Sequence, residues 1–330
     1  MKTTHNATEP AEARGLERDE VRLLVATPQS LTDSVFRELP DFLEPGDLVV
    51  VNRSATLAAS LDGRRGATPV EVHFASALDD GTWVVEVRPE GLSFGPVTDI
   101  AVGERIDLPA GHVDVLETLP GQHRLHRVAV TGSPVRLMEQ YGRPIAYGYV
   151  PERWPLSAYQ TVFAREPGSA EMPSAARPFT TRTVTDLASR GVLLAPITLH
   201  TGVSSPEVGE PPNPERYDVP ATTAALVNHV RWRGGRVVAV GTTVTRALET
   251  VADPDGYVRA GKGWTDLVLG TDRPARVVNG LVTGWHEPGA SHVHLLEAVA
   301  GPELVQEAYD EAERRDYLWH EFGDSCLLLP

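Results

Sequence analysis

Apolar and polar positions follow two different patterns along this chain, and the change of pattern divides it. The runs Val21–Ala26 and Asp47–Asn52 are mostly apolar and predict buried strands, with a short helical segment between them. From residue 55 to residue 136 the runs are short and alternating, with turn residues between them. They predict a small β-barrel with strands at Val70–Ala75, Trp83–Arg88, Arg105–Leu108, His112–Glu117 and His126–Thr131.

After residue 137 the pattern becomes mixed. Helices are predicted at Thr180–Arg190, Thr222–Trp232 and Pro302–Arg315, with a shorter one near Tyr159–Ala164, and strands at Val192–His200 and Leu327–Leu329. This alternation of strand and helix predicts the fold class: an α/β domain with a mixed, largely parallel sheet, whose binding residues lie at the strand ends.

One segment joins a buried strand to a helix through a glycine. Arg236–Val240 is the strand, Gly241 allows the turn, and Thr242 and Thr243 can cap the helix that follows. The first N–H groups of such a helix have no internal partner and favour an anionic ligand. An ordinary strand-to-helix connection is the alternative. Polar clusters at 198–202 and 283–288 favour a binding site.

The order of these segments resembles the S-adenosylmethionine:tRNA ribosyltransferase-isomerase family of queuosine biosynthesis. The motifs are Pro45-Gly46-Asp47 to Asn52, Gln160-Thr161-Val162-Phe163-Ala164, Thr198-Leu199-His200, Gly235 to Glu249, Thr283-x-x-His286-x-Pro288, Ala300-Gly301 and Phe322-Gly323-Asp324. The resemblance covers roughly Leu31 to Leu329. Each motif alone is weak, but their shared order over most of the chain indicates a shared fold.

The resemblance implies that the barrel, residues 55–136, is inserted in an α/β domain made of residues 20–54 and 137–330. It also implies an activity. The ribosyl group of S-adenosylmethionine is transferred to the aminomethyl arm of a 7-deazaguanine base in tRNA and isomerised, with loss of adenine and methionine. This chemistry requires a general base, a proton donor for adenine and fixed dipoles, but no metal or redox cofactor.

Several residues are candidates for this chemistry. His200 and His286 lie at strand ends and are the predicted bases, unless each is a neutral histidine bonded within a loop. Arg246 is predicted to hold the methionine carboxylate, unless it forms an internal ion pair with Glu249 or another carboxylate. The predicted acids that orient groups or contact adenine are Glu249 and Asp324, and the other predicted binding residues are Gly241, Thr242, Thr243, Gln160, Glu215 and Tyr217.

The chain also departs from the family pattern. An acid and an arginine of the family are lost at Asn52-Arg53-Ser54-Ala55, and histidines are lost at Pro178, Pro211 and Asn213. These losses favour an acceptor other than the usual tRNA base, because a polar base is recognised through hydrogen bonds. Two alternatives stay open: the standard tRNA reaction, and a binding protein that has kept the scaffold but lost catalysis.

Composition narrows the class of protein. The chain has 330 residues, enough for two domains, and a net charge of −15 that argues weakly against a nucleic-acid partner. Its lysines are Lys2 and Lys262, so a basic face must be built from arginine. A single cysteine, Cys326, and the lack of an apolar span or signal-peptide core predict a cytoplasmic protein without membrane attachment. Residues 1–19 are predicted to be a flexible tail.

A metal site is not expected from the sequence. His292 and His294 are two positions apart on a predicted helix, so they point to different faces, and a zinc ion needs three or four converging ligands. The oligomeric state does not follow from the sequence.

Overall fold

The computed structural model describes residues 6–91, 95–203, 213–286 and 291–330. Within these ranges it confirms the predicted α/β fold with a small β-barrel. The strands are β1 (Arg22–Thr27), β2 (Ser30–Val35), β3 (Leu48–Asn52), β4 (Ser54–Thr56), β5 (Ser60–Arg65), β6 (Thr68–Ala77), β7 (Trp83–Pro89), β8 (Arg105–Leu108), β9 (Gly111–Thr118), β10 (Leu125–Val130), β11 (Glu166–Ser169), β12 (Leu193–Leu199), β13 (Glu215–Val219), β14 (Val237–Val240), β15 (Gly261–Thr265), β16 (Gly280–Gly284) and β17 (Ser325–Leu328).

The helices pack mainly against the large sheet. They are α1 (Pro134–Tyr141), α2 (Thr181–Ser189), α3 (Ala221–Trp232), α4 (Thr242–Thr250), α5 (Ser291–Ala300) and α6 (Pro302–Arg314). Shorter 3-10 helices lie at Ala11–Arg14, Arg18–Glu20, Phe36–Phe42, Leu156–Tyr159 and Ser174–Ala176. No helix of the described ranges is both long enough and apolar enough to cross a bilayer.

The nine-stranded sheet has the order β15-β13-β12-β3-β14-β16-β17-β1-β2. Its central strands β12, β3, β14 and β16 are parallel neighbours, whereas both edges are antiparallel. Leu48 and Val50 of β3 pack into the layer that contains α3 to α6, and Val49 and Val51 pack into the layer on the other face. Because both faces are covered, the strands are apolar throughout, which explains why the sequence pattern identified them.

The barrel closes in the order β10-β7-β6-β5-β8-β9, because β9 also pairs with β10. Five of its strands match predicted runs, but β5 does not. Its sequence, Ser-Leu-Asp-Gly-Arg-Arg, has no run of apolar residues. A Cβ atom on Gly63 would lie 2.9 Å from the carbonyl oxygen of Asp107, so the neighbouring strand requires glycine there.

The N-terminal segment is packed rather than free. Ala7 and Ala11 are buried, and the N–H of Ala7 donates to the carbonyl of Trp319 at 3.0 Å. The Arg14 guanidinium donates to the carbonyl of Phe322 at 2.9 Å. The prediction of a flexible tail over residues 1–19 is therefore corrected for residues 6–19, because their partners lie near the other end of the chain.

Two local predictions of secondary structure were wrong. The segment near 159–164 is not an α-helix, because a 3-10 helix ends at Tyr159 and Gln160 has extended backbone angles. The predicted helical segment after β1 is strand β2 followed by a 3-10 helix, because the polar run Ser30–Val35 pairs along the whole of β1.

Candidate active site

A cavity of about 230 Å³ lies at the carboxyl ends of the central strands. The turn after β14 and the turn after β16 form much of its wall; their lining residues are Gly241, Thr242, Thr243, Gly284, Trp285 and His286. Carboxyl ends of adjacent parallel strands are the usual place for a ligand in an α/β sheet. The structure therefore brings together the two polar turns that the sequence singled out.

The turn at Gly241 has the geometry of a helix start. Gly241 has φ of 89° and ψ of 161° and is itself the N-cap, whereas Thr242 and Thr243 are the first helical residues. A Cβ atom at Gly241 would also lie 3.3 Å from the side chain of Ala175. Glycine is favoured by both the positive φ and the close contact. The prediction that a threonine caps α4 is corrected, since no side-chain cap is formed.

Arg246 lines the cavity, but the protein uses most of its donors. Its Nε donates to the carbonyl of Leu267 at 3.1 Å, and its Nη2 donates to those of Thr265 and Asn213 at 3.2 and 3.3 Å. Its Nη1 forms an ion pair with Glu215. A guanidinium has five N–H groups, so among described partners one is left for a ligand. The predicted bidentate grip on a carboxylate is therefore corrected to an internal ion pair.

Glu215 also lines the cavity, and two protein groups bind its carboxylate. One carboxylate oxygen pairs with Arg246 and the other accepts from the N–H of Gly202 at 3.2 Å. Burial raises the pKa of Glu215 even though Arg246 opposes the rise. The pair fixes strand β13 to helix α4, and with them part of the cavity wall.

His286 is the predicted base that lies in the cavity. Its ring stacks on that of His292 at 4.5 Å between centroids, and its backbone N–H donates to the hydroxyl of Tyr309 at 3.3 Å. Burial, followed by the neighbouring His292 and His320, holds its pKa well below the usual range. The imidazole is therefore neutral near pH 7 and able to accept a proton.

His200 lies behind the cavity wall rather than in it. Its Nδ1 is 2.7 Å from the hydroxyl of Ser54, which is 2.6 Å from that of Ser169. A Cβ atom on Gly168 would meet the His200 ring, so the ring packs directly over that backbone. Burial lowers its pKa. The prediction of His200 as a base gives way to the alternative, a neutral histidine bonded within a loop.

The two predicted acids, Glu249 and Asp324, are structural anchors. Glu249 is 1 % exposed, and its carboxylate accepts the N–H groups of residues 276, 277 and 278 at 2.8 to 3.1 Å. Asp324 accepts the N–H groups of Arg22 and Leu318 at 2.9 and 2.8 Å. Neither side chain lines the cavity. Both predictions of a catalytic or adenine-contacting role are corrected, because backbone N–H groups already occupy these carboxylates.

Gln160 and Tyr217 support the cavity from outside. The Gln160 amide accepts from the N–H of Thr56 at 3.0 Å and donates to the carbonyl of Thr56 at 2.7 Å. Thr56 lines the cavity, so Gln160 positions a wall residue. The ring of Tyr217 lies beside Gly263 on the neighbouring strand β15. The structure gives neither side chain direct access to the cavity, which corrects their prediction as binding residues.

A further part of the cavity wall was not predicted from the sequence. It consists of two tyrosines, two glutamates and a histidine, which we call the acid–tyrosine wall: Tyr147, Tyr149, Glu171, His320 and Glu321. The Tyr149 hydroxyl donates to Glu321 at 2.6 Å, and the Tyr147 hydroxyl donates to Glu171. These residues lie in loops and match none of the quoted motifs, so no local signal marks them apart from the aromatic content of residues 141–164.

Several buried polar atoms around the cavity have no hydrogen-bond partner among the described residues. They are the Tyr159 hydroxyl, Asn213 Oδ1 and Trp285 Nε1. Buried polar groups in native proteins nearly always have a partner. The tyrosine hydroxyl, the amide oxygen and the indole N–H could therefore each form a hydrogen bond with a polar ligand.

Comparison with known proteins identifies the relatives of this chain. A sequence profile described as "Queuosine biosynthesis protein" matches residues 1–328. The chain belongs to this family. The S-adenosylmethionine:tRNA ribosyltransferase-isomerase of Symbiobacterium thermophilum is 38% identical over 94% of this chain and 94% of its own length. That of Moorella thermoacetica is 35% identical over 98% of this chain and 96% of its own length.

A solved structure supports the same family. The S-adenosylmethionine tRNA ribosyltransferase of Thermotoga maritima, determined by crystallography, has a TM-score of 0.54 and 29% sequence identity to this chain. The match covers 100% of this chain and 98% of that chain. The queuosine biosynthesis family thus accounts for both the α/β domain and the barrel.

Of the departures from the queuosine biosynthesis pattern, few lie at the cavity. Arg53 donates to the Thr198 hydroxyl at 2.9 Å and lies 3.7 Å from Asp218. Pro178 is buried outside the cavity, whereas Asn213 lines it. Pro211 lies outside the described residues, as does the motif residue Pro288. Of these lost polar positions, Asn213 lines the cavity, whereas Arg53 and Pro178 do not.

Proposed function

We propose that this protein transfers the ribosyl group of S-adenosylmethionine to the aminomethyl-deazaguanine base of tRNA and isomerises it, with release of adenine and methionine. The observation that carries the proposal is the convergence of the Gly241 turn and the His286 turn on one cavity in a member of this family. The curated relatives cited above are named for this activity. S-adenosylmethionine is then a substrate.

His286 is the proposed acid–base residue. Proton removal beside the sulfonium requires a basic group that is unprotonated before reaction. Burial keeps the His286 imidazole neutral, and the contacts with His292 and Tyr309 hold its ring and backbone in place. Removal of the imidazole should lower turnover by about 10²–10⁴-fold, the usual contribution of a general acid or base, with much smaller change in ligand affinity.

The methionine carboxylate is proposed to lie at the start of α4. Arg246 has one N–H left for a ligand, whereas Thr242 and Thr243, which line the cavity, form the first turn of a helix, whose N–H groups have no partner within the helix. Such groups favour an anion. Arg246 then contributes one hydrogen bond rather than a two-point grip.

The acceptor is proposed to be tRNA. The expectation of another acceptor rested on lost polar residues, but the described losses other than Asn213 lie outside the cavity. The relatives named above act on tRNA by their names, so the comparisons give no support to a different acceptor. The negative net charge does not exclude tRNA, because phosphate contacts depend on local arginines.

The decisive experiment supplies the protein with S-adenosylmethionine and tRNA that carries the aminomethyl base, followed by nucleoside analysis by mass spectrometry. We expect the epoxycyclopentanediol nucleoside together with one equivalent of free adenine. The control tRNA carries guanine at the same position and should give neither product. Adenine release without modified tRNA would indicate another acceptor. A folded protein that binds S-adenosylmethionine but releases no adenine would indicate a non-catalytic binding protein.

A further inference from the structure

The acid–tyrosine wall is built around a column of stacked rings. The rings of His320 and Tyr149 are 4.2 Å apart and 15° from parallel, and those of Tyr149 and Tyr147 are 6.1 Å apart and 27° from parallel. The column holds the two phenols in place, and each phenol donates to one glutamate of the wall. The wall therefore presents two positioned carboxylates and aromatic faces to the cavity.

Glu321 has no cationic partner among the described residues of the protein. Among the described residues, no arginine or lysine lies within ion-pair distance of Glu321, and its side-chain hydrogen-bond partner is the neutral Tyr149 hydroxyl. Arg246, which also lines the cavity, is ion-paired with Glu215. A cavity with this charge distribution is complementary to a cationic ligand.

The surroundings of Glu321 favour a group that titrates near neutrality. Burial is the largest cause and raises its pKa to about 7, with Glu171 acting in the same direction. The Tyr149 hydroxyl and the more distant Arg177 oppose the rise. The titratable or charged groups that face Glu321 are Tyr149, Glu171, Arg177, Tyr159 and His320. Arrival of a cation beside the carboxylate would favour its ionised form.

We infer that the acid–tyrosine wall is the subsite for the cationic centre of a substrate, with the Glu321 carboxylate as the group that recognises the positive charge. The inference rests on the proposed function, which supplies two such centres: the sulfonium of S-adenosylmethionine and the ammonium of the aminomethyl base. Both share the chemistry of a compact cation beside a carboxylate and aromatic faces. Glu321 is then a specificity-determining residue for one of these two substrates.

The first test compares S-adenosylmethionine with S-adenosylhomocysteine, which lacks the methyl group and the charge. Calorimetric titrations at pH 6, 7 and 8 measure both affinities for the wild type and for Glu321→Gln. We expect the wild type to prefer the charged ligand increasingly as pH rises, because Glu321 must be ionised. In Glu321→Gln the preference should fall by about tenfold or more at pH 8 and lose its pH dependence. Glu307→Gln, an exposed change on α6, is the matched control.

The second test assigns the cation if it is not the sulfonium. KM for tRNA carrying the aminomethyl base is measured for the same variants at saturating S-adenosylmethionine. An unchanged ligand preference with a KM raised about tenfold in Glu321→Gln assigns the subsite to the ammonium. An unchanged preference together with an unchanged KM overturns the inference. Tyr149→Phe, which keeps the ring column, replaces Glu321→Gln if that variant does not fold, and it should move the pH midpoint upward.

Failure of the proposed function and failure of this inference give different results in these experiments. A folded wild-type protein that binds neither S-adenosylmethionine nor S-adenosylhomocysteine would overturn the proposed substrate and this inference together. Binding of both ligands with equal affinity at every pH would leave the substrate intact and overturn the sulfonium assignment alone.

Discussion

Two parts of the cavity wall differ in how their charged side chains are paired. On the α4 side, Arg246 and Glu215 neutralise each other, and three backbone carbonyls accept three of the other four N–H groups of Arg246. On the side of the acid–tyrosine wall, Glu321 has a phenol as its partner rather than a cation. The charges of Arg246 and Glu215 are neutralised within the protein. The Glu321 carboxylate gains a cationic partner only when a positively charged ligand binds.

The difference shows how sequence motifs can mislead about roles. Arg246 lies in the most recognisable segment of the chain, yet its guanidinium mainly supports the site. Glu321 is not part of any of the quoted motifs. It nevertheless lines the cavity, and burial raises the pKa of its carboxyl group to about 7. A charged residue whose partners are all within the protein contributes mainly to stability. A charged residue without such partners can contribute to ligand affinity or to catalysis.

The largest expected effect comes from breaking the ion pair. In Glu215→Ala, Arg246 stays buried without its carboxylate, so we expect the free energy of unfolding to fall by about 3–5 kcal/mol. The side chains are 8% and 12% exposed, which places the pair away from solvent. Urea denaturation measures the change. Asp186→Ala, which removes the exposed pair with Arg182, is the control and should cost less than about 1 kcal/mol. Equal losses in the two variants would contradict the comparison.

Arg246→Lys tests whether the Arg246 side chain mainly stabilises the fold or mainly binds the ligand. An ammonium cannot reach the three carbonyls and Glu215 together, so we expect the free energy of unfolding to fall by about 1–3 kcal/mol. Affinity for S-adenosylmethionine should change by no more than about threefold, because one hydrogen bond at most is replaced by a point charge. Denaturation and calorimetry on the same preparation measure both quantities. A tenfold loss of affinity at unchanged stability would restore Arg246 as the carboxylate grip.

Glu321 should impose a pH dependence on stability. Its pKa of about 7 in the folded state exceeds the ordinary 4.5, so between these values the folded protein holds a proton that the unfolded chain has released. Stability therefore falls as pH rises from about 4.5 to 7, by at most about 1.4 kcal/mol per pH unit for one proton, and this contribution is constant above pH 7. The difference between wild type and Glu321→Gln in urea denaturation from pH 5 to 8 isolates it. Parallel profiles for the two proteins would show that Glu321 titrates normally.

The smallest expected effect is that of Tyr149→Phe. The change removes one hydrogen bond to Glu321 and preserves the ring stack, so we expect a loss of about 0.5–1.5 kcal/mol in the free energy of unfolding. Since the phenol stabilises the carboxylate, its loss should also raise the pKa of Glu321 further. Thermal unfolding at pH 5 and pH 8 measures the first effect and its pH dependence. Tyr141→Phe at an exposed position is the control, and the prediction fails if the two variants behave alike.

The sequence by itself determined the architecture, because periodicity, glycine and chain order are local properties. The apolar run of β14, the positive φ at Gly241 and the helix that follows can all be predicted from neighbouring residues. The alternating runs of the barrel predicted five of its strands, and β5 was missed where Gly63 serves a contact with a distant strand. His286 was correctly placed at the cavity, because strand ends of a parallel sheet meet at one edge.

Only the tertiary structure decided what each polar side chain does, because its partners are distant along the chain. The sequence predicts Glu249 as a catalytic acid, but in the structure its carboxylate accepts hydrogen bonds from three backbone N–H groups. The sequence places His200 at a strand end, but in the structure its ring contacts Ser54 and Gly168. The acid–tyrosine wall joins residues 147–171 to residues 320–321, a pairing that no local pattern contains. Burial and hydrogen bonding set the charge and pKa of these groups, and both depend on packing across the whole fold.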